Sequence, residues 1–302
     1  MHDDLRSAID ASFERHLATL QDLVRIPSVS APDFGLEEIR RSAGAVVDLL
    51  DAAGLEGARV LDLEGAYPAA YASLPAPEGA PTVLLYAHHD VQPPGDGWSI
   101  EPFEPVVRNG RVFGRGTADD KSGIVLHAAV VEAFGGRPPV GVKVFVEGEE
   151  EIGSPNLPRF LEAYGDLLAA DAIVIADSAN WRVGVPALTT SLRGLISAVV
   201  EVRTLENAVH SGIFGGAMPD ALTVLARVLA CLHDADGNVA VPGLLSYEVD
   251  PLDLTEDELR SQAGLLESVS LIGNGGLTSR LWTKPAAAVL AIDAPAVGKA
   301  SN

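Results

Sequence analysis

Four short stretches concentrate the residue types that hold metals or move protons: "YAHHDVQP", "GRGTADDKSG", "FVEGEEEIGS" and "AIVIAD". In the first, strand alternation would put His88 and Asp90 on one face and His89 on the other. A carboxylate two residues beyond a histidine can orient the imidazole and raise its basicity, as the outer partner of a metal ligand does. The second carries glycines and Lys121-Ser122 in the manner of a phosphate loop, but no glycine directly precedes the lysine. Asp119 and Asp120 would repel phosphate there unless a cation intervened. The third crowds Glu147, Glu149, Glu150 and Glu151 together, and the fourth ends an apolar run on Asp177. Each stretch alone also fits a solvated turn or a charged face. Together they offer His88, Asp90, Asp119, Glu150, Glu151 and Asp177, whose mutual repulsion a divalent metal would relieve best.

The elements that must position these residues alternate between strand and helix. Amphipathic helices are expected over about 3–25 and 35–53, and strands at "ARVLDL", "AAYASL" and "PTVLLYA". The Asn109-Gly110 pair in "VVRNGRVFG" predicts a hairpin, and "KSGIVLHAAVVEAF" a helix. The strand "VGVKVFVE" runs into the glutamates. Ser154 and Pro155 then offer a cap and first-turn proline for a helix to about 168, and "AIVIAD" is the next strand. Acids and histidines recur where an apolar strand gives way to a loop, the edge at which open α/β sheets bind ligands. Because strand neighbours face opposite ways, Glu150 and Glu151 can share a site only from a turn. The expected fold is therefore α/β, a mixed-sheet domain with helices on both faces over 1–188. A smaller α+β unit over 189–302 would hold strands "LISAVVEVRT" and "AAAVLAID" around helices in "MPDALTVLARVLACLHD" and "LTEDELRSQAGLL".

The 302 residues and 47% hydrophobic content suit packed domains. An excess of acid, 42 Asp and Glu against 21 Lys and Arg, disfavours nucleic acid and anionic membranes. The N-terminus lacks a secretory pattern and no stretch is apolar for long enough to span a bilayer. The single cysteine, Cys231, excludes an internal disulfide and fits the cytoplasm; its apolar helical setting reads as a buried small hydrophobe. His127 in "IVLHAAVV" reads as packing, and His2, His16, His89 and His233 have no catalytic role.

The ordered motifs "HHD", "GRGTADDKSG", "EGEEEIGS", a strand-ending Asp and "AVHSGIFGG" resemble the M20 family of zinc peptidases, in its branch of carnosinase-like and non-specific dipeptidases. The likeness runs through nearly the whole chain. It implies a ferredoxin-like lid and dimerisation domain after the catalytic domain. It also implies two zinc ions, with manganese or cobalt as substitutes, and dipeptides or small amides as substrates. His88, Asp119 and Asp177 would hold one zinc; Asp119 would bridge to a second that Glu151 also binds. Asp90 would orient His88, Glu150 would be the general base, and Glu147 and Glu149 would be supporting charges. His210 would reach the partner subunit's site in a homodimer and stabilise the oxyanion. A cis peptide bond between Asp119 and Asp120 is implied as well.

One departure stands out: the family's last zinc histidine has no counterpart, since only His233 follows His210. The expectation is a fragment of a longer product, lacking that ligand and the end of the lid, with a natural short variant as the rival account. Two other readings compete with a dipeptidase: an N-acyl amino acid amidohydrolase of the same family, and a catalytically impaired metal-binding or dimerising fragment.

Overall fold

In the computed structural model, which describes residues 2–178 and 180–296, the chain divides into two compact units, Met1–Ala187 and Leu188–Asn302. Each is described by itself.

The first unit begins with helices α1 (His2–Val24) and α2 (Leu36–Ala52). The apolar residues of α2 recur at helical spacing, so Ile39, Ala43, Val46 and Leu50 are all buried on one stripe. Strands β1 (Glu56–Leu61), β2 (Ala69–Leu74) and β3 (Thr82–His88) follow. The hairpin β4 (Val106–Arg108) and β5 (Arg111–Phe113) turns on Asn109 and Gly110, both at positive φ, as a two-residue loop of this hand requires. Helix α3 (Lys121–Ala133), strand β6 (Gly141–Glu147), a 3₁₀ turn (Glu150–Ile152), helix α4 (Leu157–Leu168) and strand β7 (Ala172–Ile175) complete the regular elements of this unit.

The five-stranded sheet has the order β1-β2-β6-β3-β7. β1, β2 and β6 pair antiparallel, whereas β6, β3 and β7 run parallel. Alternation sorts the side chains into two cores. Ala70, Ala72, Leu74, Val142, Val144 and Val146 join Val46, Leu50, Ile124 and Ala128 of the α2 and α3 side. Tyr71, Leu84 and Phe145 join Phe160 and Leu168 of α4 on the other. With helices on both faces, the carboxyl ends of the parallel strands are left as the accessible edge. His88 stands opposite Glu147 in the β3/β6 register at that edge, and Asp177 lies two residues past β7.

Two local expectations at the start of α4 fail: Pro155 lies before the N-cap, the first-turn proline being Pro158, and the cap is a different residue. Ser154 does not cap α4; it sits at φ 52, and the N-cap is Asn156. The Glu149 carboxylate accepts from the Asn156 main chain and side chain and from the Tyr67 amide, and so sets where the turn ends.

The second unit carries α5 (Ser211–Phe214), α6 (Ala221–Ala230), α7 (Glu256–Ala263) and α8 (Leu277–Trp282). Thr255 and Glu258 close a capping box on α7. The segments "LISAVVEVRT" and "AAAVLAID", expected as strands of an α+β unit, form none. A strand needs a ladder partner, and the pairing found among this unit's described residues is the isolated bridge His233 to Val239. Leu195, Ile196, Val199 and Leu290 are accordingly exposed. Cys231, expected to be buried, is exposed at the end of α6. The last residues of the "APAVGKASN" tail, 297–302, lie outside the described residues. Among the described residues no helix is long and apolar enough to cross a membrane.

Lys121 ties the segment after Asp119 and Asp120 to the N-terminal helix of the first unit. Its ammonium is wholly buried and donates to the carbonyls of Leu23 (2.8 Å), in the last turn of α1, and Ile26 (2.7 Å), just beyond it. Burial pushes its pKa down to about 7. Lys121→Met should lower the unfolding free energy by about 2 kcal/mol, the scale of losing two buried hydrogen bonds from an ammonium. A urea midpoint matching the wild type would contradict this.

Candidate metal centre

His88 is buried at the end of β3 and presents both ring nitrogens to acids. Nδ1 lies 3.1 Å from the Asp90 main-chain carbonyl and 3.4 Å from its Oδ1. Nε2 lies 2.9 Å from Asp119 Oδ1, and 3.9 Å from both Glu150 Oε2 and Asp177 Oδ2. Burial alone would depress the imidazole pKa, but the hydrogen bond and charge of Asp90, with Asp120 and Asp177, raise it to about 10.

Asp90 is fully buried and acts in two directions. Besides facing His88, its Oδ1 accepts from the Glu150 amide at 3.2 Å and its Oδ2 from the Glu151 amide at 3.1 Å. Burial pushes this carboxyl up, yet the contacts, His88 foremost, hold it below the usual range. Gly148 lets the chain turn here. A Cβ at that position would meet Pro68 O at 2.5 Å and His89 Nε2 at 3.0 Å. His89 faces away from His88: its Nε2 is 2.9 Å from Pro68 O, and burial lowers its pKa to about 4.

The carboxylates become more accessible away from the imidazole. The Asp177, Glu150 and Asp119 side chains are 28%, 38% and 63% exposed. Burial first, and neighbouring carboxylates second, hold Glu150, Glu151 and Asp177 above their ordinary pKa values. Glu151 turns toward Gln92, whose amide bonds its Oε1 at 3.2 Å. Glu147 is buried and accepts from the Tyr86 hydroxyl at 2.7 Å; Glu149 serves the turn.

Asp120 was not singled out in the sequence. Its ligand atom lies within 4.8 Å of those of His88 and Asp177 in a group able to hold a metal ion. The Asp119–Asp120 peptide bond is cis, and both acids contact His88, Asp119 at its ring and Asp120 at its main chain. Asp120 Oδ2 accepts from the His88 amide at 3.2 Å, Oδ1 is buried without a partner, and burial raises its pKa to about 7. The doubled "DD" was the sequence signal, but only the backbone reveals that both residues converge.

His210 belongs to the second unit. Its Nδ1 accepts from the Gly212 amide at 3.0 Å and caps α5, which leaves Nε2 as the protonated nitrogen of the neutral ring. His127 and His16 are buried and bonded to Tyr86 O and Glu132. The side chain of His2 lies outside the described residues.

A histidine surrounded by crowded carboxylates, one with an orphaned buried oxygen, has the donor chemistry of a divalent-metal site. The model for peptidase family M20/M25/M40 matches residues 84–271. The chain belongs to that family. It is 37% identical over 233 residues to a Cysteinylglycine-S-conjugate dipeptidase of Corynebacterium striatum, covering 74% of this chain and 51% of the relative. It is 33% identical over 275 residues to a Beta-Ala-His dipeptidase of Homo sapiens, covering 84% and 53%. The fold matches a crystal structure of human carnosine dipeptidase 1 with a TM-score of 0.64 at 25% identity, covering 87% of this chain and 61% of that one. The chain spans about half the length of the curated relatives it matches.

Because His88 holds its proton well above neutrality, a metal taking Nε2 must displace it. Zinc titration of the metal-free protein at pH 8, in buffers of different ionisation enthalpy, should show release of about one proton from this site. Zinc binding without proton release would contradict the assignment of His88 as ligand.

Proposed function

We propose that this chain carries most of the metal centre of a dipeptidase in which a glutamate base activates water against the peptide bond. The observation that supports it most directly is His88 Nε2 facing Asp119, Glu150 and Asp177 while Asp90 backs Nδ1. The named dipeptidase relatives support the substrate class.

In this reading His88, Asp119 and Asp177 would hold one zinc, and Asp119 and Glu151 would contribute to a second. Asp119 is preferred as the acid shared by the two ions because its Oδ1 lies 2.9 Å from His88 Nε2 and its side chain is open toward the other acids. Manganese or cobalt can take the same oxygen and nitrogen donors. The metal, when bound, would lower the pKa of water and polarise the scissile carbonyl.

The chain's own residues do the rest. Asp90 keeps the His88 ring turned toward the acids and pins the Glu150 and Glu151 amides in the 3₁₀ turn. Glu150, half-exposed and with a raised pKa, takes the water proton on its carboxylate and delivers it to the leaving amine. His210 Nε2–H donates to the developing oxyanion, from the partner protomer of a homodimer formed through the second unit. The cytoplasm is the proposed location, with a single cysteine that needs no disulfide.

Glu150→Gln should cut turnover of the metal-loaded protein about 10²- to 10⁴-fold while leaving its metal content unchanged, the range of a lost general base. The assay is hydrolysis of a panel of dipeptides and N-acyl amino acids with metal measured alongside. Equal turnover by wild type and variant, or cleavage of N-acyl amino acids alone, would contradict this reading.

A further inference from the structure

The loop after β3 makes a set of contacts that the proposed mechanism does not use. Gln92 grips Glu151 twice: its side-chain amide donates to the Glu151 carbonyl at 2.6 Å, and its main-chain amide to Glu151 Oε1 at 3.2 Å. Arg115 holds the next two residues, donating to the carbonyls of Pro93 (3.2 Å) and Pro94 (3.4 Å). Trp98 Nε1 donates to the same Pro94 carbonyl at 2.6 Å, and the Arg115 guanidinium lies 5.5 Å from the centre of its ring. Arg115 is itself fixed by its amide, 2.7 Å from Pro102 O. It stands four residues before Asp119 in the same segment.

Residues 92–98 therefore lie between the two segments that bring Asp119 and Glu151 to the site. Asp90 fixes the amides of Glu150 and Glu151. The carbonyl and carboxylate of Glu151 are instead bonded by Gln92. We propose that Gln92 and Arg115 are positioning residues that act through one latch, loop 92–98, to set the placement of Glu151 relative to Asp119. The inference rests on the reading of those two acids as metal ligands. The latch's mechanical part is independent of any metal.

Gln92 is exposed, so its replacement removes the side-chain bond to the Glu151 carbonyl, and leaves the main-chain one, without opening the core. In the metal-free protein, Gln92→Ala should speed amide hydrogen exchange at Glu150 and Glu151 about tenfold, leave exchange in the β4/β5 hairpin unchanged, and keep the urea midpoint. Gln92→Glu, of the same shape but without the donor, should reproduce that effect, which covers the case of an alanine variant that folds poorly. Zinc affinity should fall about tenfold in each, the scale of a lost outer partner. Arg115→Leu, which removes the Nη2 donor to both proline carbonyls, should act alike, and the double variant Gln92→Ala/Arg115→Leu should be little worse than either single one. Additive effects in that cycle would overturn the shared latch. Unchanged exchange at Glu150 and Glu151 in both Gln92 variants would overturn it whether or not metal binds. If even the wild type takes up no zinc, the reading of the site as a metal centre fails, and the exchange rates alone decide the latch.

Discussion

The carboxylate of Asp90 is the contact on which the rest of the site depends. It is wholly buried, and a buried charge is tolerated only where its oxygens are bonded. Asp90 meets that condition by facing His88 Nδ1 on one side and accepting the amides of Glu150 and Glu151 on the other. One side chain thereby joins the end of β3 to the turn after β6. If those bonds are lost, the imidazole loses its orientation and the two glutamates lose their turn together. The fold supplies the setting: parallel pairing of β3 with β6 and β7 brings three strand ends to one edge, and Lys121 anchors the adjoining segment to α1.

Electrostatics then explains why such a constellation calls for a cation. His88 is cationic near neutral pH, but one imidazolium faces Asp90, Asp119, Asp120, Glu150 and Asp177. The carboxyls of Asp120, Glu150, Glu151 and Asp177 are all pushed up by burial and by one another. A divalent ion would replace the proton on His88 and compensate several of these acids at once. The gradient from buried Asp90 to the exposed side chain of Asp119 leaves the far side of the carboxylate cluster open to solvent.

Much of this was legible because it is local. The strand read at "AAYASL" is β2 residue for residue, and the Asn109-Gly110 pair marks its hairpin. The need for neighbouring glutamates to share a site places Glu150 and Glu151 in a turn, which is the 3₁₀ turn found. What escaped depends on distant partners. The Glu149 carboxylate, rather than Ser154, organises the start of α4, and Asp120 bonds the main chain of His88, 32 residues away. In the second unit, "LISAVVEVRT" and "AAAVLAID" have strand-like composition without a strand to pair with, so propensity alone misled. The cis bond between Asp119 and Asp120 followed from family resemblance; no spacing in the sequence encodes it.

The most direct measurement of the central claim is the zinc affinity of Asp90→Asn, determined by chelator competition on folded protein. Asparagine keeps the shape but replaces one of the two acceptor oxygens with a donor and removes the charge. Affinity should fall about 10- to 100-fold, as for the loss of a histidine's outer partner. Zinc affinity equal to that of the wild type in the folded variant would contradict the claim that Asp90 holds the site together.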